Sequence, residues 1–128
     1  MPVITTAKGA LVYHEYGDGE PLLLLHGALL SHKAWRPQIN ALAQNHHLIT
    51  CDLRGHGEAP ATSDPYTLRD FTGDVIRLLD ALGLESVMIC GHHLGGQIAC
   101  QLAVNSPRRG SALVLANPPG AENGGKTL

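Results

Sequence analysis

Long apolar runs are missing from this 128-residue chain. Stretches such as Leu22 to Leu25 fall far short of the ~20 residues a bilayer-spanning helix needs. Met1 to Ala10 also has no apolar core of signal-peptide length, so no membrane partner is expected. Charge of one sign is not in excess. Nine Lys and Arg stand against eleven Asp and Glu, giving a formal net charge of −2, and the basic residues are scattered. That excludes nucleic acid or an anionic membrane as the main partner. Cysteine is sparse. Cys51, Cys90 and Cys100 show no CxxC spacing and read as buried thiols of a reducing, cytoplasmic compartment. The HExxH, GxGxxG and GxxxxGK[ST] patterns are all missing. Lys126-Thr127 follows Gly124-Gly125, but at the end of a tail with no helix after it. The sequence therefore predicts no metal and no cofactor.

What is present is enough for one domain with its own core: 44% of residues are apolar and 16% charged. Val3 to Thr6 and Ala10 to Tyr16 read as strands joined through Lys8-Gly9. Leu22 to Leu25 reads as a strand buried on both faces. Pro37 suits the first turn of a helix carrying Ile39, Leu42 and Ala43. Leu48 to Cys51 is a further strand, and Glu58 to Tyr66 a polar loop. Thr67 with Asp70 predicts a capped helix start, followed by Leu68, Phe71, Val75, Leu78, Leu79 and Leu82 at helical spacing. Ser86 to Cys90 and Ala112 to Ala116 read as strands, with a helix from Gln97 to Asn105 between them. Asn117 to Gly120 reads as a turn. The expected organisation is a domain over 1–120 and a polar tail over 121–128.

Alternating strands and helices predict an α/β fold with a mostly parallel sheet and helices on both faces. Ligands of such sheets sit at the carboxyl ends of the strands. Three segments fall there: His26-Gly27, Asp52 to Gly57, and Gly91 to Gly96. The last is the most informative. A strand, a tight turn with glycine two residues either side of its centre, and a helix are what a nucleophile elbow requires. The central residue is His93, with Gly91 and Gly95 flanking it.

These motifs together resemble the N-terminal part of the α/β-hydrolase superfamily. His26-Gly27-Ala28, Trp35 and Gln38, Asp52-Leu53-Arg54-Gly55-His56-Gly57 and Gly91 to Gly96 carry the likeness. It covers about residues 3 to 119 and is nearest the esterase, enol-lactonase and haloperoxidase-like branch. The resemblance implies a partial fold of six strands in the order 1-2-4-3-5-6, with the C-terminal strands and cap absent. It implies hydrolysis of a carboxylic ester, lactone or amide as the ancestral reaction. It also places an oxyanion hole at the backbone N–H groups of Ala28 and Leu94, and substrate contacts at His26, Gly27 and His92.

The resemblance departs at the chemistry. Serine usually stands where His93 does. No histidine follows residue 93, and Glu122 is the only later carboxylate side chain. A Ser-His-Asp mechanism is therefore not available to these residues. His93 itself could attack an activated ester or serve as a base for water; the competing reading is that it only tolerates the turn. A non-catalytic ligand-binding or interaction module is the alternative function. His26, Asp52, His56, His92 and His93 lie near neighbouring strand ends, but most belong to the family's ordinary pattern, so they are not read as a metal site. Asp52, Arg54 and His56 are expected to hold the turn after the fourth strand. The last strand, Ala112 to Ala116, is expected to be an exposed apolar edge that favours self-association.

Overall fold

A computed structural model describes residues 3–6, 9–28, 30–59 and 67–116. The expected turn at 117–120 and tail at 121–128 lie outside these residues, as does most of the expected loop after Glu58.

Six strands form one sheet: β1 (Val3–Thr6), β2 (Gly9–Tyr16), β3 (Glu20–Leu25), β4 (His46–Asp52), β5 (Val87–His92) and β6 (Gly110–Ala116). Their order is β1-β2-β4-β3-β5-β6, the order the motif resemblance implied. β1 pairs antiparallel with β2, and β2 antiparallel with β4. From β4 onward the pairing is parallel. Among the described residues, three helices connect the strands: α1 (Arg36–Leu42), α2 (Leu68–Ala81) and α3 (Leu94–Asn105), with a 3-10 turn at His32–Trp35 ahead of α1.

The period-two geometry of a strand explains the two cores. Leu23 and Leu25 of β3 join Ile49, Cys51 and Leu53 on one face, where α2 and α3 supply Val75, Leu78, Leu79, Ile98 and Leu102. Leu22 and Leu24 point to the other face with Leu48, under Trp35, Ile39 and Leu42. β3 is thus apolar at consecutive positions because helices cover it on both sides.

α2 begins as its sequence predicts. Thr67 Oγ1 accepts the Asp70 N–H at 3.1 Å, and Asp70 Oδ2 accepts the Thr67 N–H at 3.1 Å. Such a reciprocal cap is worth about 1 kcal/mol. Two details depart from expectation. α3 begins at Leu94, not Gln97, because the glycines at 95 and 96 are inside its first turn. Cys100 is exposed on that helix, whereas Cys51 is buried. β6 pairs only with β5 among the described residues and leaves Leu113, Val114 and Leu115 exposed. No helix of the described residues is long and apolar enough to cross a membrane.

Candidate active site

The carboxyl ends of β3, β4 and β5 meet at one end of the sheet, and the three predicted loops leave from there. β3 runs into His26 and Gly27. His26 is fully buried. Its Nδ1 lies 2.7 Å from the Gly27 carbonyl, and its Nε2 accepts the Leu53 N–H at 3.0 Å. A neutral ring protonated on Nδ1 satisfies both contacts. Burial is the main reason its pKa is pushed down to about 4, with the neighbouring His56 ring acting in the same direction. His26 thus ties the loop after β3 to the loop after β4, with both ring nitrogens engaged.

The β4 loop is closed by its own side chains. Asp52 accepts the backbone N–H groups of His32 at 2.7 Å and Glu58 at 3.0 Å, and its Oδ1 also lies 2.7 Å from the His32 ring. Burial alone would raise its pKa; these hydrogen bonds outweigh that and hold the carboxyl below its ordinary value. Arg54 reaches away from the turn to α2, where Nε and Nη2 bind the two oxygens of buried Asp74 at 2.9 and 2.7 Å. His56 Nδ1 sits 3.0 Å from the Arg54 carbonyl. Asp52 and His56 therefore hold the turn as expected, while Arg54 anchors it to a helix.

The β5 loop is built differently. His93 has φ 51° and ψ −112° and is the one described non-glycine residue with positive φ. Holding an L-residue there costs roughly 1–3 kcal/mol. The surroundings leave no alternative. A Cβ on Gly91 would lie 2.3 Å from the Gly95 carbonyl oxygen, and one on Gly95 would lie 2.2 Å from the Leu25 carbonyl oxygen. Both contacts are impossible for any larger residue, so the strand enters and the helix leaves through backbone-to-backbone approaches. The turn is then pinned: the His93 N–H donates to the Ala116 carbonyl at 3.2 Å, and the Gly95 N–H to the His26 carbonyl at 3.1 Å.

Above this turn is a cavity of about 390 Å³ lined by Ala28, Leu30, His92, His93, Leu94 and Gln97. Next to it, His26, Leu30, Ala34, Trp35, Gln38, His92 and Ala116 line a second, about 190 Å³ in volume. The structure therefore brings His93, Ala28 and Leu94 to one cavity and places His92 between the two. The His92 and His93 rings stand edge to face with centroids 4.6 Å apart. Gly27 is close beneath them, since a Cβ there would approach His92 Nδ1 to 2.9 Å. Among the described residues, neither the Ala28 nor the Leu94 N–H is committed to a backbone carbonyl in a turn or loop. Burial pushes the Cys51 thiol up to about 12 and also raises Cys90, so neither of these two competes as a nucleophile near neutral pH.

Sequence reasoning missed Asp74 and His32 as members of this end of the molecule. Each bonds a residue 20 positions away, and no local motif announces such a pair.

Known proteins share this fold. A family model described as the alpha/beta hydrolase fold matches residues 20–125. The (E)-2-((N-methylformamido)methylene)succinate hydrolase of Acinetobacter baylyi is 37% identical over 95 residues, covering 74% of this chain and 36% of its own length. A hydrolase from Pseudomonas aeruginosa superimposes with a TM-score of 0.89 at 32% identity, over 91% of this chain and 45% of that one. The enol-lactonase from Burkholderia xenovorans gives a TM-score of 0.83 at 28% identity, over 88% of this chain and 45% of that one. The chain thus spans less than half the length of these relatives. The family model over most of the chain, together with a relative at 37% identity, shows that the chain belongs to the α/β hydrolase fold family.

Proposed function

We propose that the loops after β3 and β5 form a crevice for a small carboxylic ester, lactone or amide, and that any hydrolysis there depends on His93. The carrying observation is the strained His93 turn, which holds an imidazole over a cavity that Ala28 and Leu94 also line. In this reading the turn is a nucleophile elbow, and the Ala28 and Leu94 N–H groups receive the negative charge that develops on the substrate carbonyl oxygen. His93 attacks the carbonyl carbon, and the bond to the alcohol or amine breaks. The leaving group takes up a proton from the ring or water, and water then hydrolyses the acyl-imidazole to the acid and free imidazole. Alternatively, His93 draws a proton from attacking water. Gly27 and His92 bound the substrate, and His26 acts from behind by fixing the oxyanion loop.

The turn carries histidine where a serine mechanism needs serine, and these 128 residues contain no later histidine to serve as its base. Any His93-dependent hydrolysis is accordingly expected to be weak at most. Names of relatives support the reaction class: one is named as a hydrolase of a succinate derivative and another as an enol-lactonase. Three free thiols fit a reducing cytoplasmic setting.

The test is p-nitrophenyl acetate hydrolysis by the purified protein and its His93→Ala and His93→Ser variants. Hydrolysis above that of free imidazole, lost in His93→Ala, is the expected result. Equal rates in all three proteins would remove His93 from the chemistry. The second reading, a binding module without turnover, is favoured by the same cavity. It predicts ligand-induced thermal stabilisation with no hydrolysis in any of the three.

A further inference from the structure

On the α1 face of the sheet, four side chains from four segments, none of them lining the His93 cavity, converge: His14 of β2, His32 of the 3-10 turn, Asp52 at the end of β4 and Glu58 beyond it. One donor atom from each lies within 4.8 Å of all the others. The sheet register explains the convergence. His14 is two residues from Val12, which pairs with Asp52, so both project from the same face of adjacent strands. The 3-10 turn then carries His32 over them.

We propose that these four residues form a structural site for a divalent transition-metal ion of the zinc type. Four observations carry it. The set is two imidazoles and two carboxylates, a donor chemistry suited to zinc. With neutral rings it carries two negative charges, which a divalent cation balances. The His14 and His32 rings are side by side, centroids 4.3 Å apart. Finally, His14 Nε2 is buried without a hydrogen-bond partner, 3.9 Å from Glu58 Oε1; an orphaned polar atom of this kind is costly unless something binds it.

A cation here replaces the hydrogen between His32 Nδ1 and Asp52 Oδ1, which are 2.7 Å apart, and the His32 ring takes its other tautomer. It also gives His14 Nε2 its missing partner. Metal–donor distances of about 2.0–2.2 Å put tetrahedral donors about 3.4 Å apart, so donors up to 4.8 Å apart close in while His32 Nδ1 and Asp52 Oδ1, now 2.7 Å apart, open to admit the ion. Four protein donors leave no open position, which is the structural arrangement. Glu58, exposed at the rim, provides the entry side.

The test uses chelator-treated protein titrated with zinc chloride by calorimetry and with cobalt chloride by visible absorption. Expected are one ion per chain, cobalt bands of a four-coordinate site, and affinity lowered roughly tenfold or more in both His14→Phe and Glu58→Gln. Circular dichroism checks that each variant is folded. Glu58→Gln alters an exposed side chain and remains informative if His14→Phe does not fold. Absence of saturable one-to-one binding overturns the site. So does unchanged affinity in a folded variant, which would leave a histidine–carboxylate network without a metal.

Discussion

The loops after β4 and β5 leave neighbouring parts of the same sheet end, and both depend on glycine, yet they are held in opposite ways. In the β4 loop the side chains turn inward. Asp52 gathers two backbone N–H groups, and Arg54 is locked onto Asp74. In the β5 loop the backbone does the holding. Gly91 and Gly95 permit contacts no side chain would allow, and His93 is left in a strained conformation beside a cavity. The lesson is that local stabilisation and chemical availability trade against each other. A loop whose polar groups bind one another is rigid and offers little to an organic ligand. A loop pinned through its main chain keeps its side chains for a ligand.

That contrast can be broken at several points. The largest effect is expected from Asp74→Ala, which leaves buried Arg54 without its carboxylate; loss of one partner of a buried pair costs about 3–5 kcal/mol, read by urea denaturation. Gly95→Ala should follow at roughly 1–3 kcal/mol or more, because its new methyl would overlap the Leu25 carbonyl. An intact fold with unchanged stability in Gly95→Ala would contradict the close approach.

The pH dependence isolates His26. Its folded-state pKa is about 4 against an ordinary value of 6.5, so the unfolded chain binds a proton that the native state refuses. The contribution of the neutral ring is complete above pH 6.5 and is lost as pH falls toward 4, on the order of 3 kcal/mol. His14, lowered by burial and by His32, acts in the same direction. Stability measured across this window should fall with acidity in the parent and fall less in His26→Gln. A smaller change of opposite sign is expected at the elbow. His93→Gly relieves the positive-φ strain and should raise stability by about 1 kcal/mol, while abolishing any His93-dependent hydrolysis. Self-association through β6 is the mildest expectation, resting on exposed Leu113, Val114 and Leu115; a stable monomer at micromolar concentration in sedimentation would contradict it.

Much of the fold is legible because its signals are local. Consecutive leucines at 22–25 announce a doubly covered strand, Thr67 and Asp70 announce a helix start, and Gly91 with Gly95 announce the tight turn. The strand order came from resemblance, since periodicity alone does not rank strands in a sheet. What stayed hidden depends on contacts between distant positions. Asp74 sits in an amphipathic helix where an acid normally faces water, yet Arg54 draws it inside. His14 and His32 belong to no motif and meet only because the register of β2 on β4 and the 3-10 turn bring them over Asp52. Cys100, expected inside, is exposed because it is two residues from both Ile98 and Leu102, on the side of α3 opposite the core face.

The central claim is that the main-chain-pinned loop, and not the side-chain-wired one, is where a carbonyl substrate binds. It can be read directly by following the backbone amide signals of Ala28, Leu94 and Leu53 by ¹⁵N–¹H NMR during titration with phenylphosphonate, a stable oxyanion analogue of an ester-hydrolysis intermediate. The account predicts saturable shifts at Ala28 and Leu94 with Leu53, whose N–H is already given to His26, unchanged. Shifts confined to Leu53 and the Asp52 loop, or no saturable shift at Ala28 and Leu94, would contradict it.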